Sequence, residues 1–271
     1  MPELPEVETT CRGISPHLLG VQVKEVIVRR YDLRLPISET LAQLEGRIIK
    51  GITRRSKYLL IAVDDGSTLL IHLGMSGSLR ITDPAEDWKK HDHLGISLEN
   101  GCQLRFHDPR RFGLVLHLSG NPMTHSLLKN LGPEPLEIDF TATYLTAACA
   151  RRSAAIKLVI MDAKVVVGVG NIYASEALFR AGILPESPAH LLSKPRLSKL
   201  VTAIREVLAA AIAEGGTTLR DFLHSDGKPG YFKQQLRVYD RKGQTCRDCE
   251  AEICHQVLGQ RSTYWCPRCQ R

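Results

Sequence analysis

Val165-Val166-Val167-Gly168-Val169-Gly170-Asn171-Ile172-Tyr173 sets a strand-like valine run ahead of a Gly-x-Gly. A dinucleotide-binding βαβ unit would need a third glycine where Tyr173 stands, so that fold is excluded. The flanks read as helices instead. Ala154 to Ala163 is apolar at helical spacing and carries Lys157, and Asn171 to Ala181 is a second helix ended by Gly182. The stretch is therefore a tight glycine turn between two helices. Such a turn presents backbone N–H groups at a helix start, where the dipole favours an anion, and Asn171 adds a side-chain donor. A helix–helix turn without a ligand satisfies the same spacing. Downstream, Pro195 to Glu214 carries Leu197, Leu200, Val201, Ile204, Leu208, Ala211 and Ile212 on one face, with Ser193 as cap and Gly215 as stop.

Upstream the period changes. Leu131-Gly132-Pro133-Glu134-Pro135-Leu136 is a linker, since its two prolines break both helix and central strand. From Val21 to about Leu118 short apolar runs alternate with turn signals. Tyr58 to Val63 and Leu69 to Leu73 flank Asp65-Gly66, while Leu94 to Leu98 and Gln103 to Phe106 flank Asn100-Gly101. Such pairs predict β-hairpins of a sandwich or barrel. The chain thus reads as α+β, β-rich first and helical second.

The chain start, Met1-Pro2-Glu3-Leu4-Pro5-Glu6, carries chemistry. Initiator methionine is usually trimmed before a small second residue such as Pro2. Trimming leaves a secondary amine beside a carboxylate. An α-amine titrates near pH ~8, so a useful fraction is neutral and nucleophilic in neutral solution. Its attack on an acetal-like carbon gives an iminium ion, a strong electron sink, and Glu3 can give or take the proton. An ordered tail would use the same residues. Pro5 and the two glutamates suit the first turn of a helix over Glu6–Arg12 that Gly13 ends or loosens.

At the other end, Cys246-x-x-Cys249 and Cys266-x-x-Cys269 stand sixteen residues apart. Four thiolates on two knuckles predict one tetrahedral structural Zn²⁺, with a β-hairpin between them. A site closed by four cysteines leaves no position for a reacting water. Val238 to Arg271 holds six Lys/Arg and four Asp/Glu, and the metal with its thiolates brings the sum close to zero. Binding by this finger therefore falls to aimed side chains, Arg261 near the hairpin tip first. Cys254 and His255 have poorer spacing and are bystanders.

The whole chain, 271 residues with 43% hydrophobic and 24% charged, is that of an ordinary globular protein of one large or two modest domains. No run approaches the roughly 18 apolar residues of a membrane span, and no signal peptide is visible. The net charge of +7 leans toward a polyanion. Eight cysteines without a disulfide-like framework suit a reducing compartment. In the β-rich part Lys57, His72, Met75 and Asp108-Pro109-Arg110-Arg111-Phe112-Gly113 stand out. Arg110 and Phe112 are two apart, so on a strand-like loop both point one way, which suits insertion into a nucleic-acid stack. A surface arginine beside a core phenylalanine is the alternative. His91-Asp92-His93 reads as structural.

MPELPEVET at the start, HLGMSGSLR from His72, DPRRFG from Asp108, VVGVGNIYASEALF from Val166, GGTTLRDF from Gly215 and the paired CxxC motifs together resemble bacterial formamidopyrimidine-DNA glycosylases. The related endonuclease VIII type shares the Pro-Glu start and a finger, but Leu4, GMSG and DPRRFG favour the formamidopyrimidine branch.

The resemblance implies three parts: a catalytic β-sandwich with an N-terminal helix at 1–131, a helix–two-turn–helix domain at 132–237, and a four-cysteine zinc finger at 238–271. It implies a monomeric, cytoplasmic bacterial base-excision enzyme that removes 8-oxoguanine and formamidopyrimidines from damaged duplex DNA and nicks the strand by β,δ-elimination. By similarity, Pro2 is the Schiff-base nucleophile, Glu3 the proton donor, and Lys57 a base or phosphate contact. Met75, Arg110 and Phe112 fill the space left by the extruded base. His72, Asn171, Tyr239 and Arg261 hold phosphates, Lys157 lies near the lesion pocket, and the Thr217–Ser225 loop covers the flipped base. Asp240 departs from the pattern, which has glycine there. A non-enzymatic DNA-binding protein on the same scaffold would have no need of Glu3 and Lys57.

Overall fold

The computed structural model describes residues 2–216 and 235–271. It forms two compact units, one holding the described residues through Lys129 with 214–216, the other Asn130–Ala213 with the described residues from 235. The four-cysteine segment thus clusters with the helices.

In the first unit, helix α1 (Leu4–Leu18) precedes eight strands: β1 (Val23–Val28), β2 (Ile49–Arg55), β3 (Tyr58–Val63), β4 (Thr68–His72), β5 (Ser78–Thr82), β6 (Asp92–Leu98), β7 (Gln103–His107) and β8 (Leu114–Leu118). They build two antiparallel sheets, ordered β1-β6-β7-β5 and β2-β3-β4-β8. The expected turns are present: Gly66 and Gly101 both take left-handed φ of 83° at the β3–β4 and β6–β7 hairpins. Val7, Ile14 and Leu18 of α1 share one buried cluster with Leu59, Ile61 and Ile71 of one sheet and Ile96, Leu104 and Phe106 of the other. This burial carries α1 through Gly13, where the sequence predicts an end or a loosening, and on past Pro16: Ile14 and Leu18 need the helix to reach the core. Glu8 ties the helix down, accepting from Arg54 Nε of β2 at 2.9 Å.

β6 is buried along its whole length and does not alternate. The ring of Trp88 covers Gly95, and Arg105 of β7, itself fully buried, stacks on Trp88 at 4.4 Å.

The second unit contains α2 (Ala142–Cys149), α3 (Ile156–Met161), α4 (Asn171–Ala181) and α5 (Lys194–Ala213), then the hairpin of β9 (Cys254–Leu258) and β10 (Arg261–Trp265). α4 spans the predicted residues and ends at Gly182, whose φ is 68°. α3 is shorter than the predicted helix, and α2 is additional, capped by the Thr141 side chain, which accepts from Tyr144 N. Among the described residues no helix is long and apolar enough to cross a membrane.

Candidate functional site

Pro2 and Glu3 are buried at the head of α1. Glu3 is the N-cap, and its N–H donates to the Glu6 carboxylate at 2.8 Å in a capping box. A helix N-terminus is electrostatically positive, and it is here that the two residues sit. Met1 lies outside the described residues.

Lys57 occupies the two-residue turn between β2 and β3, after Ser56 at φ 57°. Strand pairing sets Tyr58 opposite His72, with ring centroids 4.9 Å apart, so Lys57 and His72 come together at one end of the sheet. Burial, then the Lys57 and Arg34 charges, push the His72 pKa down to about 4. His72 Nδ1 accepts from Gly74 N at 3.0 Å, so the neutral ring carries its proton on Nε2. This is a donor without charge, beside a lysine that supplies the charge.

Met75 and Phe112 are exposed, by 37% and 44%, which excludes a core phenylalanine. Two loops present them. Gly74, at φ 68°, leaves no room for a side chain: a Cβ would stand 2.4 Å from the backbone at Phe112 and Gly113. The buried Asp108 accepts from Ser76 Oγ at 2.8 Å and Gly113 N at 2.7 Å, stapling the loops to each other. Arg110 stacks over Phe112 at 5.1 Å. The expected strand-like alternation is absent. Arg111 takes φ 58° and turns the chain between them, its own guanidinium going to Asp32 at 2.6 Å.

In the second unit two candidates converge on one carbonyl. Asn171 opens α4, and its Nδ2 donates to Ser262 O at 3.0 Å. Lys157 Nζ donates to the same oxygen at 3.0 Å and to Thr263 Oγ1 at 2.8 Å. Arg261, exposed at the start of β10, is thereby fixed relative to the glycine turn. Lys157 is fully buried, and its two bonds tie α3 to the hairpin. The Asn171 Oδ1 is buried without a partner among the described residues.

Sequence reading missed Glu176. Its buried carboxylate accepts from the N–H groups of Arg237, Val238 and Tyr239 at 2.8, 3.0 and 2.8 Å. Burial raises its pKa while the three N–H donors oppose the rise. It orients the turn bearing Tyr239, whose ring meets Tyr264 at 5.2 Å. The available signal was an acid inside the apolar run Ile172–Phe179. Asp240 adopts φ 60°, the left-handed region that glycine favours, which explains why glycine suits this position.

The four cysteine sulfurs lie within 4.8 Å of one another, with pairs at 4.0 Å (Cys246–Cys269) and 3.3 Å (Cys249–Cys266). Zn–S bonds of about 2.3 Å in a tetrahedron give S···S edges of about 3.8 Å, within that spread. The donor set fits a structural metal. Cys254 and His255 stand outside the cluster. The Thr217–Ser225 loop falls outside the described residues.

This layout, Pro2 and Glu3 at a helix start on a sandwich plus a four-cysteine hairpin anchored to helices, is that of a DNA-repair glycosylase, as the comparisons show. The formamidopyrimidine-DNA glycosylase N-terminal domain family matches residues 1–115 and that enzyme's H2TH domain family matches 131–223. A formamidopyrimidine-DNA glycosylase of Xanthomonas campestris is 54% identical over 272 residues, all of both chains. The crystal structure of MutM (Fpg) from Thermus thermophilus is 39% identical with a TM-score of 0.90, covering 99% of this chain and 98% of that one. A Lactococcus lactis Fpg mutant, in complex with a Fapy-dG containing DNA, is 33% identical with a TM-score of 0.93 over the whole of both chains. The chain belongs to the formamidopyrimidine-DNA glycosylase family.

Proposed function

We propose that this protein excises oxidised purines from duplex DNA and then nicks the strand, both through the Pro2 nitrogen. With Met1 removed, the Pro2 lone pair attacks C1′ of the damaged nucleotide. The C1′–N bond breaks toward the base, which leaves with a proton from Glu3. Ring opening at C1′–O4′ gives an iminium on Pro2 that acidifies C2′–H. Loss of that proton expels the 3′ phosphate, and a second elimination expels the 5′ phosphate. Lys57 and His72 hold the phosphate flanking the reacting sugar. Met75, Arg110 and Phe112 fill the stack, offsetting the few kcal/mol that extrusion costs. Asn171, Tyr239 and Arg261 grip the backbone from the helical unit. Zn²⁺ on Cys246, Cys249, Cys266 and Cys269 would supply the finger's folding energy and no step of the reaction. The partner is damaged duplex DNA bound by a monomer, with the sandwich at 1–131 as the reacting domain.

The observation that carries this reading is the burial of Pro2 and Glu3 together at the head of α1 in a chain of this family. Borohydride reduces an iminium to a stable amine, so Met-trimmed protein is expected to be trapped on lesion DNA. Protein retaining Met1 binds without an adduct, and Glu3→Gln excises an intact damaged base poorly. Sequencing that places the DNA on Lys57 would overturn the assignment.

A further inference from the structure

We propose that Arg54 is a positioning residue: it ties the helix that carries Pro2 and Glu3 to the turn that carries Lys57, and so sets how the amine and the lysine stand to each other. The inference rests on the reading that Pro2 and Lys57 serve one reaction.

Arg54 lies near the end of β2, and its side chain is only 10% exposed. Its Nε donates to Glu8 Oε2 at 2.9 Å and its Nη1 to the Ser56 carbonyl at 3.0 Å. A guanidinium is planar, so acceptors on two of its nitrogens are fixed in direction as well as distance. Glu8 stands a little over one turn along α1 from Glu3. The Ser56 carbonyl belongs to the Ser56–Lys57 peptide, in one plane with the Lys57 N–H. One side chain thus joins the helix and the turn.

The turn needs such a hold. Ser56 is buried at φ 57° in the first position of a two-residue hairpin loop, where glycine is favoured. A residue with a side chain keeps that conformation where its surroundings impose it, and Arg54 grips the carbonyl of that same residue. The helix end of the link differs from an ordinary surface pair. Arg12, 65% exposed, takes Glu8 Oε1 at 2.7 Å from the solvent side, and the other oxygen goes inward to Arg54. Burial pushes the Glu8 pKa up, and the bonds from Arg12 and Arg54 more than reverse the rise, so this end stays charged. The apolar core beneath α1 holds the helix without preferring a direction. Reacting groups misplaced by ~1 Å can lose on the order of 100-fold in rate, so direction matters here.

The test compares wild type with Arg54→Lys, which keeps a cation facing Glu8 but cannot hold both acceptors in one plane. Glu8→Gln weakens the other end, and Arg12→Gln, on the solvent side of the same carboxylate, is the control. His72 reports where Lys57 stands. Its pKa is held down by burial, then by the Lys57 and Arg34 charges, with the Tyr58 ring against it. Lys57→Gln sets the rise that NMR titration of the ring shows when the Lys57 charge is lost. Arg54→Lys and Glu8→Gln are expected to raise the His72 pKa part of that way, and Arg12→Gln leaves it unchanged. Single-turnover excision and borohydride trapping should fall about ten-fold or more in Arg54→Lys. The slope of log affinity against log salt should persist, because the Lys57 charge remains. A wild-type His72 titration in both variants, or a rate loss no greater than that of Arg12→Gln, would overturn the proposal. If Arg54→Lys does not fold, Glu8→Gln decides alone. Wild-type protein that forms no adduct refutes the enzymatic reading, and the His72 titration then decides this one.

Discussion

The two units hold their candidate residues by opposite means. In the β unit each one is delivered by local geometry at the rim of an apolar sandwich: Glu3 by its own helix cap, Lys57 by a two-residue turn, Met75 and Phe112 by loops in backbone contact. In the helical unit they are assembled across the chain by buried polar groups. Lys157 reaches Ser262 across 105 residues and Glu176 reaches Val238 across 62. Apolar cores absorb single changes in proportion to the area lost, whereas a buried polar partner left alone costs its full desolvation. The β unit should therefore degrade gradually, and the helical unit at a few points only.

The largest break is expected at the cysteines. Cys246 and Cys266 are buried with Val238, Ile253 and Phe179 in one small cluster, too little core to fold unaided. Chelation or Cys246→Ser removes metal-linked folding free energy on the order of 10 kcal/mol. DNA binding should vanish while the sandwich keeps its thermal transition in calorimetry. Full lesion cleavage by metal-free protein would contradict the division drawn here.

A second prediction probes a largely buried polar group within the β unit. His72 stays neutral in the fold down to about pH 4, whereas an unfolded imidazole protonates near its ordinary 6.5. Between those values the unfolded chain binds a proton that the folded chain refuses, so stability falls as pH drops through this window. The loss reaches about 3 kcal/mol at its acid end. Denaturant midpoints of wild type and His72→Gln should diverge in their pH dependence over that range, with the variant flatter.

In the helical unit, Lys157→Met keeps volume but strips two charge-assisted hydrogen bonds from Ser262 and Thr263. A loss of about 2 kcal/mol is expected, confined to that unit. DNA affinity should fall with it, because Arg261 loses its anchor. An unchanged transition would show that Asn171 alone secures the hairpin.

The same contrast explains what the sequence disclosed. The Asp65-Gly66 and Asn100-Gly101 turns give away β3, β4, β6 and β7 because hairpin register is local. β2 escapes notice because Lys50, Arg54 and Arg55 load it with charge, and Arg54 is explained only by Glu8 of a distant helix. α1 does not end at Gly13 for a related reason: the core beneath Ile14 and Leu18 outweighs the roughly 1 kcal/mol that an internal glycine costs. Among candidate site residues, Pro2, Glu3 and the four cysteines announce themselves by spacing. Glu176 and the hydrogen-bond partners of Lys157 do not, since the contacts span 61 to 106 residues.

The smallest predicted effect concerns Asp240. Its φ of 60° costs an L-residue backbone about 1 kcal/mol, less for aspartate than for most because its short side chain tolerates this region. It also sets a carboxylate next to Tyr239, whose N–H is committed to Glu176. Asp240→Gly relieves the strain and removes the charge together, so the finger should gain about 0.5 to 1 kcal/mol and DNA should bind a few-fold tighter at low salt. Asp240→Ala separates the two effects. It removes the charge while leaving a Cβ in the left-handed region, so it should tighten binding but lower the finger's melting temperature. If alanine and glycine stabilise equally, backbone strain has no part in the departure at this position. The helical unit would then be limited by charge at its surface rather than by the geometry that its buried carboxylate imposes.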